Sequence, residues 1–151
     1  MKTVLILLVY FVSLCANAQS NYRILQKFKF HSLEIRETNT ENLLDEFPEG
    51  EGLVINCMVE GIEYLLISIP GVHDYNIQIV HKVLGAPVEL DGIKMDLYQG
   101  GEKIEGLGVY TCNVFYVYDM EKNKTIPQFI RLEINGSPNL LYFNGIIKLE
   151  D

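Results

Sequence analysis

The sequence is poor in positive charge and has no long apolar run beyond its N-terminal segment. Its 12 lysine and arginine residues face 20 aspartate and glutamate residues, so the formal net charge at pH 7 is −8. Nucleic acids and anionic membrane surfaces bind basic patches, and this charge balance argues against both. We therefore expect no nucleic-acid partner, and no membrane span in the mature chain.

Histidine is also scarce, and its spacing matches no metal site. The chain has His31, His73 and His81, and on one helix the last two would lie about 12 Å apart, too far for one metal ion. Pairing Cys57 with His73 or His81 would give a thiol–histidine arrangement, but no flanking signature of a thiol enzyme accompanies it. We therefore predict no catalytic residue, no metal site and no cofactor.

The first 18 residues have the pattern of a secretory signal peptide. Lys2 provides a basic start, residues 4–14 form an apolar run, and Ala16 and Ala18 place small side chains at the cleavage site. Cleavage after Ala18 would make Gln19 the mature N-terminus, followed by a single β-rich domain over residues 19–151. The mature chain would then have a net charge of −9, because one lysine leaves with the signal peptide.

A lipid anchor on Cys15 is the alternative outcome of export. Bacterial lipoprotein signals also end at a cysteine, but they place Gly, Ala or Ser immediately before it. Leu14 occupies that position here and departs from the pattern. We therefore favour a secreted or periplasmic protein of the cell envelope over a lipid-anchored one.

Two cysteines, Cys57 and Cys112, remain after cleavage. In an oxidising compartment an even pair of cysteines predicts a disulfide, which here would join two strand-like segments. The alternative is two buried thiols, because the sequence does not supply the Cα separation that a disulfide requires.

The strongest strand signal covers residues 109–118, V-Y-T-C-N-V-F-Y-V-Y. β-Branched and aromatic side chains suit a pleated sheet, and here both alternating faces are largely apolar. The pattern predicts a central strand that is covered on both faces. The predicted core contains Phe115, Val117, Ile130, Leu132, Phe143 and Ile147.

Further strand patterns cover residues 21–36, 53–59, 62–69, 88–90, 93–99, 128–134 and 140–149. Glu60-Gly61 and Asp91-Gly92 have the composition of tight hairpin turns. The alternation in the first segment changes parity near Leu33, which predicts a bulge or a second short strand. These segments predict an antiparallel sheet of six to eight strands.

Two segments have helical features. Thr38 and Glu41 match a capping box, which predicts a short helix over residues 39–46. Residues 74–84 fit either a helix or a strand, because the apolar residues recur four apart but also alternate. Asp74 as an N-cap and Gly85 as a C-cap favour the helix. With the strands, these segments predict an α+β fold that contains one or two short helices.

The stretch V-L-G-A-P, residues 83–87, followed by a short hairpin that ends at Tyr98, resembles part of a known family. Residues 71–98 are similar to the small envelope lipoproteins of the outer-membrane assembly complex, the BamE or SmpA family. The resemblance implies a helix that ends near Gly85 and an accessory role at the cell envelope. It transfers no functional residue to this chain.

Two classes of function remain open from the sequence. The first is an exported, non-enzymatic binding or accessory protein, whose partner is an unknown protein or a small apolar ligand. The second is a small secreted hydrolase or thiol enzyme. The first is favoured because the sequence contains no recognisable set of nucleophile, base and orienting residue.

Overall fold

The structure, a computed structural model, describes residues 21–87, 92–106 and 108–150. These ranges contain eleven β-strands. The strands are β1 (Tyr22–Phe30), β2 (Ser32–Glu37), β3 (Leu43–Phe47), β4 (Gly52–Val59), β5 (Ile62–Ile69), β6 (His73–Pro87), β7 (Ile93–Ile104), β8 (Gly108–Asp119), β9 (Phe129–Ile134), β10 (Asn139–Asn144) and β11 (Ile147–Lys148). They form one antiparallel sheet in the order β11-β1-β4-β5-β6-β7-β8-β9-β10-β2-β3. No helix occurs in these residues, so the predicted α+β class is wrong and the described chain is all-β.

The sheet closes on itself, because strands at the two ends of this order are continuous in the chain. Strand β1 runs into β2 through His31, and β10 runs towards β11 through Gly145. Phe28 pairs with Lys148 and Leu33 pairs with Phe143, so the pairing of β1 with β11 and the pairing of β2 with β10 have the same register. If β1 and β2 count as one bent strand, β10 and β11 count as another, and β3 is set aside, eight strands surround the interior.

The bend in both strands depends on Gly145. Gly145 has a φ of +65°, a conformation that L side chains rarely adopt, and an added Cβ would lie 3.0 Å from the Cβ of His31. The His31 N–H donates to the carbonyl of Asn144 at 2.9 Å, which links the two strands at the bend. The parity change that the sequence predicts near Leu33 is thereby confirmed.

The hydrophobic core fills the interior of the closed sheet. The ring of Phe28 on β1 meets the ring of Tyr116 on β8 edge-on, with centroids 5.9 Å apart. Because β1 and β8 are not neighbours in the sheet, this contact crosses the interior. The buried apolar core also includes Phe30, Leu33, Val54, Leu65, Ile67, Ile69, Ile77, Tyr98, Cys112, Val114, Tyr118, Ile130, Leu132 and Phe143.

Strand β8 lies between β7 and β9 in the closed sheet, but its two faces are not equally covered, as the sequence had predicted they would be. Cys112, Val114, Tyr116 and Tyr118 are buried inward, and the intervening residues, which include Phe115 and Val117, are only partly buried. The predicted core was therefore wrong at these two residues, although right at Ile130, Leu132 and Phe143. Ile147, also predicted in the core, is 45% exposed because it follows the bend at Gly145.

The helix predicted for residues 74–84 is wrong, because this segment belongs to the long strand β6. Residues four apart lie on one face of a strand as well as of a helix, so the pattern fits both periods. Register shifts between Ile79 and His81 and between Val83 and Ala86 change which side chains point inward. Val80 and Leu84, expected on the apolar helix face, are 77% and 57% exposed. The helix implied by the envelope-lipoprotein resemblance is therefore absent.

The helix predicted for residues 39–46 is also wrong. A turn at residues 38–40 is followed by strand β3, which pairs with β2. The Thr38 hydroxyl donates to the carbonyl of Ser137 and its N–H donates to the carbonyl of Pro138, so Thr38 ties this turn to the β9–β10 connection. Glu41 adopts a φ of +55°, which is incompatible with a helical turn.

The predicted hairpin at Glu60-Gly61 is confirmed. Val59 pairs with Ile62, and the two turn residues have φ values of +51° and +83°, the signs that a type I′ turn requires.

Residues 88–91, which include the strand predicted for 88–90 and Asp91, lie outside the described residues, as does the whole predicted signal peptide with Cys15. Nowhere in the described ranges is there a helix of the length and apolarity needed to cross a membrane.

Candidate functional site

One end of the closed sheet has a polar interior, in contrast to the apolar core beside it. This end, which we call the polar end, lies near the β4–β5 turn and the β8–β9 connection. Its polar groups come from inward positions of six different strands. They are Gln26, Asn56, Glu63, Lys82, Asp96, Tyr98, Tyr116 and Tyr118.

Three buried polar atoms in this region have no hydrogen-bond partner among the described residues: Gln26 Oε1, Asn56 Oδ1 and Tyr116 Oη. Tyr116 is 0% exposed and Asn56 is 2% exposed. Native interiors satisfy nearly all such groups, because an unsatisfied buried donor or acceptor costs about 1–3 kcal/mol. Three of the four such atoms in the described residues lie at this end, which makes it the candidate site; the fourth is Arg131 Nε on β9.

The other groups nearby are held by one another. The Asn56 side-chain N–H donates to Glu63 Oε1 at 2.9 Å, and Lys82 Nζ lies 2.7 Å from Glu63 Oε2. These contacts satisfy both carboxylate oxygens of Glu63, whose side chain is only 10% exposed. They also fix the Asn56 amide, so that its oxygen remains available inside the sheet.

The tyrosines of the polar end are neutral across the physiological range. Burial, followed by the charges of Asp96 and Glu63, raises the pKa of Tyr98 to about 12. Burial also raises the pKa values of Tyr116 and Tyr118, and the neighbouring tyrosines and Asp96 add to the effect. Each phenol therefore keeps its proton and can both donate and accept a hydrogen bond.

A cavity of about 350 Å³ opens at the polar end. Its lining residues are Gln26, Gly85, Lys94, Asp96, Tyr118, Met120, Lys124, Thr125 and Lys148. In the sheet Gln26 pairs with Asn56 and Asp96 pairs with Tyr116. Two of the buried unpartnered atoms therefore belong to strand neighbours of cavity-lining residues, and the third belongs to the lining itself.

The structure keeps the three histidines apart, and the sequence predicted no metal site for them. His31 is partly exposed, with its Nδ1 at 2.9 Å from Glu51 Oε1. The His73 ring packs edge-on against Tyr75 with centroids 4.5 Å apart, and His81 is exposed on β6. Across the residues that the structure describes, no three His, Cys, Asp or Glu side chains form a metal-binding group.

The predicted disulfide between Cys57 and Cys112 is not formed in this structure, and both residues are buried thiols. Cys57 pairs with Tyr64 close to the β4–β5 turn, whereas Cys112 pairs with Gly100 towards the opposite end of the sheet. Strands β5, β6 and β7 lie between their strands. The structure therefore agrees with the alternative of two buried thiols. The disulfide prediction failed because composition does not show how far apart two strands lie in a sheet.

The chemistry of Cys112 does not suit a thiol nucleophile. Burial, followed by the charge of Glu102, raises the pKa of its thiol to about 12. A reactive cysteine requires the thiolate, which a positive neighbour or a helix N-terminus stabilises. Cys112 is an interior apolar side chain of β8 and takes no part in the polar end.

Sequence reasoning missed the polar end entirely. The available signal was a polar residue at an inward position of an otherwise apolar strand. Gln26 shares its parity with Phe28 and Phe30, and Asn56 shares its parity with Val54. Such residues gain meaning only when their strands are brought together around one interior.

Comparison with protein-family models, curated proteins and solved structures finds no match to this chain. The interpretation of the polar end therefore depends on its own geometry and chemistry.

Proposed function

We propose that this chain is an exported, non-enzymatic binding protein that holds a small ligand at the polar end of its closed sheet. One observation carries the proposal: three buried polar atoms without partners lie beside a cavity of about 350 Å³. Small-molecule sites combine an apolar wall with a few fixed polar groups, and the mouths of closed sheets are a common place for them. A bound ligand would complete the hydrogen bonds of Gln26, Asn56 and Tyr116.

The groups at this end suit binding better than catalysis. A general acid or base works best when its pKa lies near the ambient pH. The pKa of Tyr98 is raised to about 12 by burial, and Glu63 is occupied by Lys82 and Asn56. The neutral phenol of Tyr98 therefore suits positioning a ligand through hydrogen bonds better than proton transfer.

Titration with the neutral fluorescent dye N-phenylnaphthylamine tests the proposal, because its emission increases when it enters an apolar site. Wild-type protein should show saturable binding with one site per chain. Met120→Trp, which places a large ring at a cavity-lining position, should weaken binding about tenfold or more, since it fills the space the dye needs.

Val80→Trp is the matched control, because Val80 is 77% exposed on β6 and does not line the cavity. It should bind the dye as the wild type does, and the melting temperatures of both variants report whether they fold. Absence of saturable binding by the folded wild type would contradict the proposal. Equal binding by folded Met120→Trp would place the dye outside the cavity and contradict it as well.

Export is a separate element of the proposal and has its own test. The N-terminal pattern supports cleavage after Ala18. N-terminal sequencing of the exported protein should begin at Gln19. An acylated Cys15 at the N-terminus would instead show a lipid-anchored envelope protein.

A further inference from the structure

Three lysines surround the mouth of the cavity at the polar end. Lys94 lies on β7, Lys124 in the β8–β9 connection and Lys148 on β11. Lys94 pairs with Tyr118, and Lys148 pairs with Phe28, so both lysines lie on the inner face with these buried rings. Three separate elements of the fold therefore direct positive charge to one opening.

These lysines form no ion pair with any residue in the described ranges. Five of the other eight basic residues in the described ranges contact a carboxylate: Lys29, Arg36, Lys82, Lys122 and Arg131. Arg23, Lys27 and Lys103 form no ion pair there either, so the three lysines differ from them in converging on one cavity. Three converging lysines that form no ion pair in the described ranges leave that opening available to an outside anion.

Among the described residues that line the cavity, Asp96 is the one carboxylate, and it is already engaged. Its Oδ1 accepts the backbone N–H of Gly85 at 2.7 Å, and its side chain also lies beside the Tyr118 phenol. The described lining residues therefore carry an excess of two positive charges, from three lysines and one aspartate. A ligand group placed between the lysines would experience a net attraction if it were negative.

An aromatic ring and a thioether, Tyr118 and Met120, give the cavity lining an apolar part. They adjoin the buried rings of Tyr98 and Tyr116, which pack with centroids 5.0 Å apart. Such a surface binds the apolar body of a ligand, and the unpartnered Tyr116 hydroxyl and Asn56 oxygen can bind a polar group at its inner end.

We infer that the ligand is an amphipathic anion whose carboxylate, sulfonate or similar group lies among Lys94, Lys124 and Lys148 while its apolar body packs on the tyrosines. This inference rests on the proposed binding function and adds the chemical class of the ligand. Charge-assisted hydrogen bonds to lysine would hold the anionic group.

The test compares two dyes that share one chromophore: anilinonaphthalene sulfonate, which is anionic, and N-phenylnaphthylamine, which lacks the sulfonate. The wild-type protein should bind the sulfonate dye about tenfold tighter, the equivalent of one charge-assisted hydrogen bond. In the triple variant Lys94→Gln, Lys124→Gln, Lys148→Gln this ratio of affinities should fall to about one. Added salt should weaken only the sulfonate dye, because it screens exposed charges.

Lys122→Gln is the control variant, since Lys122 lies close in sequence but pairs with Asp119 and does not line the cavity. It should keep the wild-type ratio of affinities. If the two dyes bind equally well and the triple variant changes nothing, the anionic class is refuted while the binding function stands. If sulfonate binding survives in folded Met120→Trp, that dye lies elsewhere and the inference is refuted. If neither dye binds, the proposed function itself fails.

Discussion

Tyr116→Phe should stabilise the ligand-free protein, although it removes a hydrogen-bonding group. The Tyr116 side chain is 0% exposed and its hydroxyl has no partner among the described residues. The substitution keeps the ring, and with it the edge-on contact to Phe28 at 5.9 Å and the packing on Tyr98 at 5.0 Å. Only the unsatisfied hydroxyl changes, so the structure offers a clean measure of its cost.

The expected gain follows from the desolvation penalty of that hydroxyl. A buried polar group without a partner costs about 1–3 kcal/mol, and deleting it recovers part of this free energy, less the small gap that the missing oxygen leaves. We expect the free energy of unfolding to increase by about 1 kcal/mol. For a chain of this size that corresponds to a rise in melting temperature of roughly 3–6 °C.

Tyr142→Phe supplies the matched control, because the same atom is removed from a phenol that has partners. The Tyr142 hydroxyl lies 3.1 Å from Glu41 Oε2 and 3.4 Å from Arg131 Nη1. This variant should lose about 0.5–1.5 kcal/mol. Urea unfolding at neutral pH gives both values, and refolding each protein from urea before measurement removes any co-purified ligand that would satisfy Tyr116.

The two tyrosine variants should therefore move stability in opposite directions, and Tyr116→Phe should also weaken dye binding at the polar end. A loss of stability in Tyr116→Phe as large as that in Tyr142→Phe would show that the Tyr116 hydroxyl is already satisfied. The interpretation of the polar end as a binding site would then lose its principal support.

Three further predictions concern the closed sheet itself. Val114→Asp should lower the free energy of unfolding in urea by several kcal/mol, because Val114 is fully buried. Val117→Asp, on the partly exposed outer face, should lower it by less than half as much. Equal losses would refute the assignment of faces. Stability should fall as pH rises from 10 towards 12, because burial raises the pKa of Tyr98 to about 12 in the folded state and the unfolded chain releases that proton first. Tyr98→Phe should reduce this alkaline loss by roughly 2–3 kcal/mol, and an unchanged pH profile would show that Tyr98 is not buried as described. Gly100→Ala should destabilise by on the order of 2 kcal/mol, since its Cβ would lie 2.1 Å from the carbonyl oxygen of Gln78; an unchanged melting curve would refute the close approach of β6 and β7.

Several local features followed from the sequence because they depend on neighbours in the chain. The Glu60-Gly61 hairpin is fixed by the backbone preferences of two residues, and the inward Ile130 and Leu132 by simple alternation. The bend near Leu33 was visible as a change of parity. The strand at residues 109–118 was clear from its composition alone.

Where one local pattern fits both a helix and a strand, the sequence favoured the wrong secondary structure. Residues 74–84 repeat every four positions, which suits a helix, yet four is also a multiple of the strand period. The strand prevailed because β5 and β7 lie on either side and supply its backbone hydrogen bonds. That pairing is non-local, so no capping signal at Asp74 or Gly85 could have revealed it.

The sequence by itself determined that the chain is acidic, rich in strands and free of any recognisable catalytic pattern, because these properties depend on composition and short spacing. Only the tertiary structure decided that the sheet closes, since closure depends on the common register of residues more than 100 positions apart, as in the pairing of Leu33 with Phe143. Closure in turn brings Asn56 and Tyr116 inside one polar end and three distant lysines to its mouth. The candidate site exists because strands far apart in sequence share an interior, and this is why residue types and spacing did not disclose it.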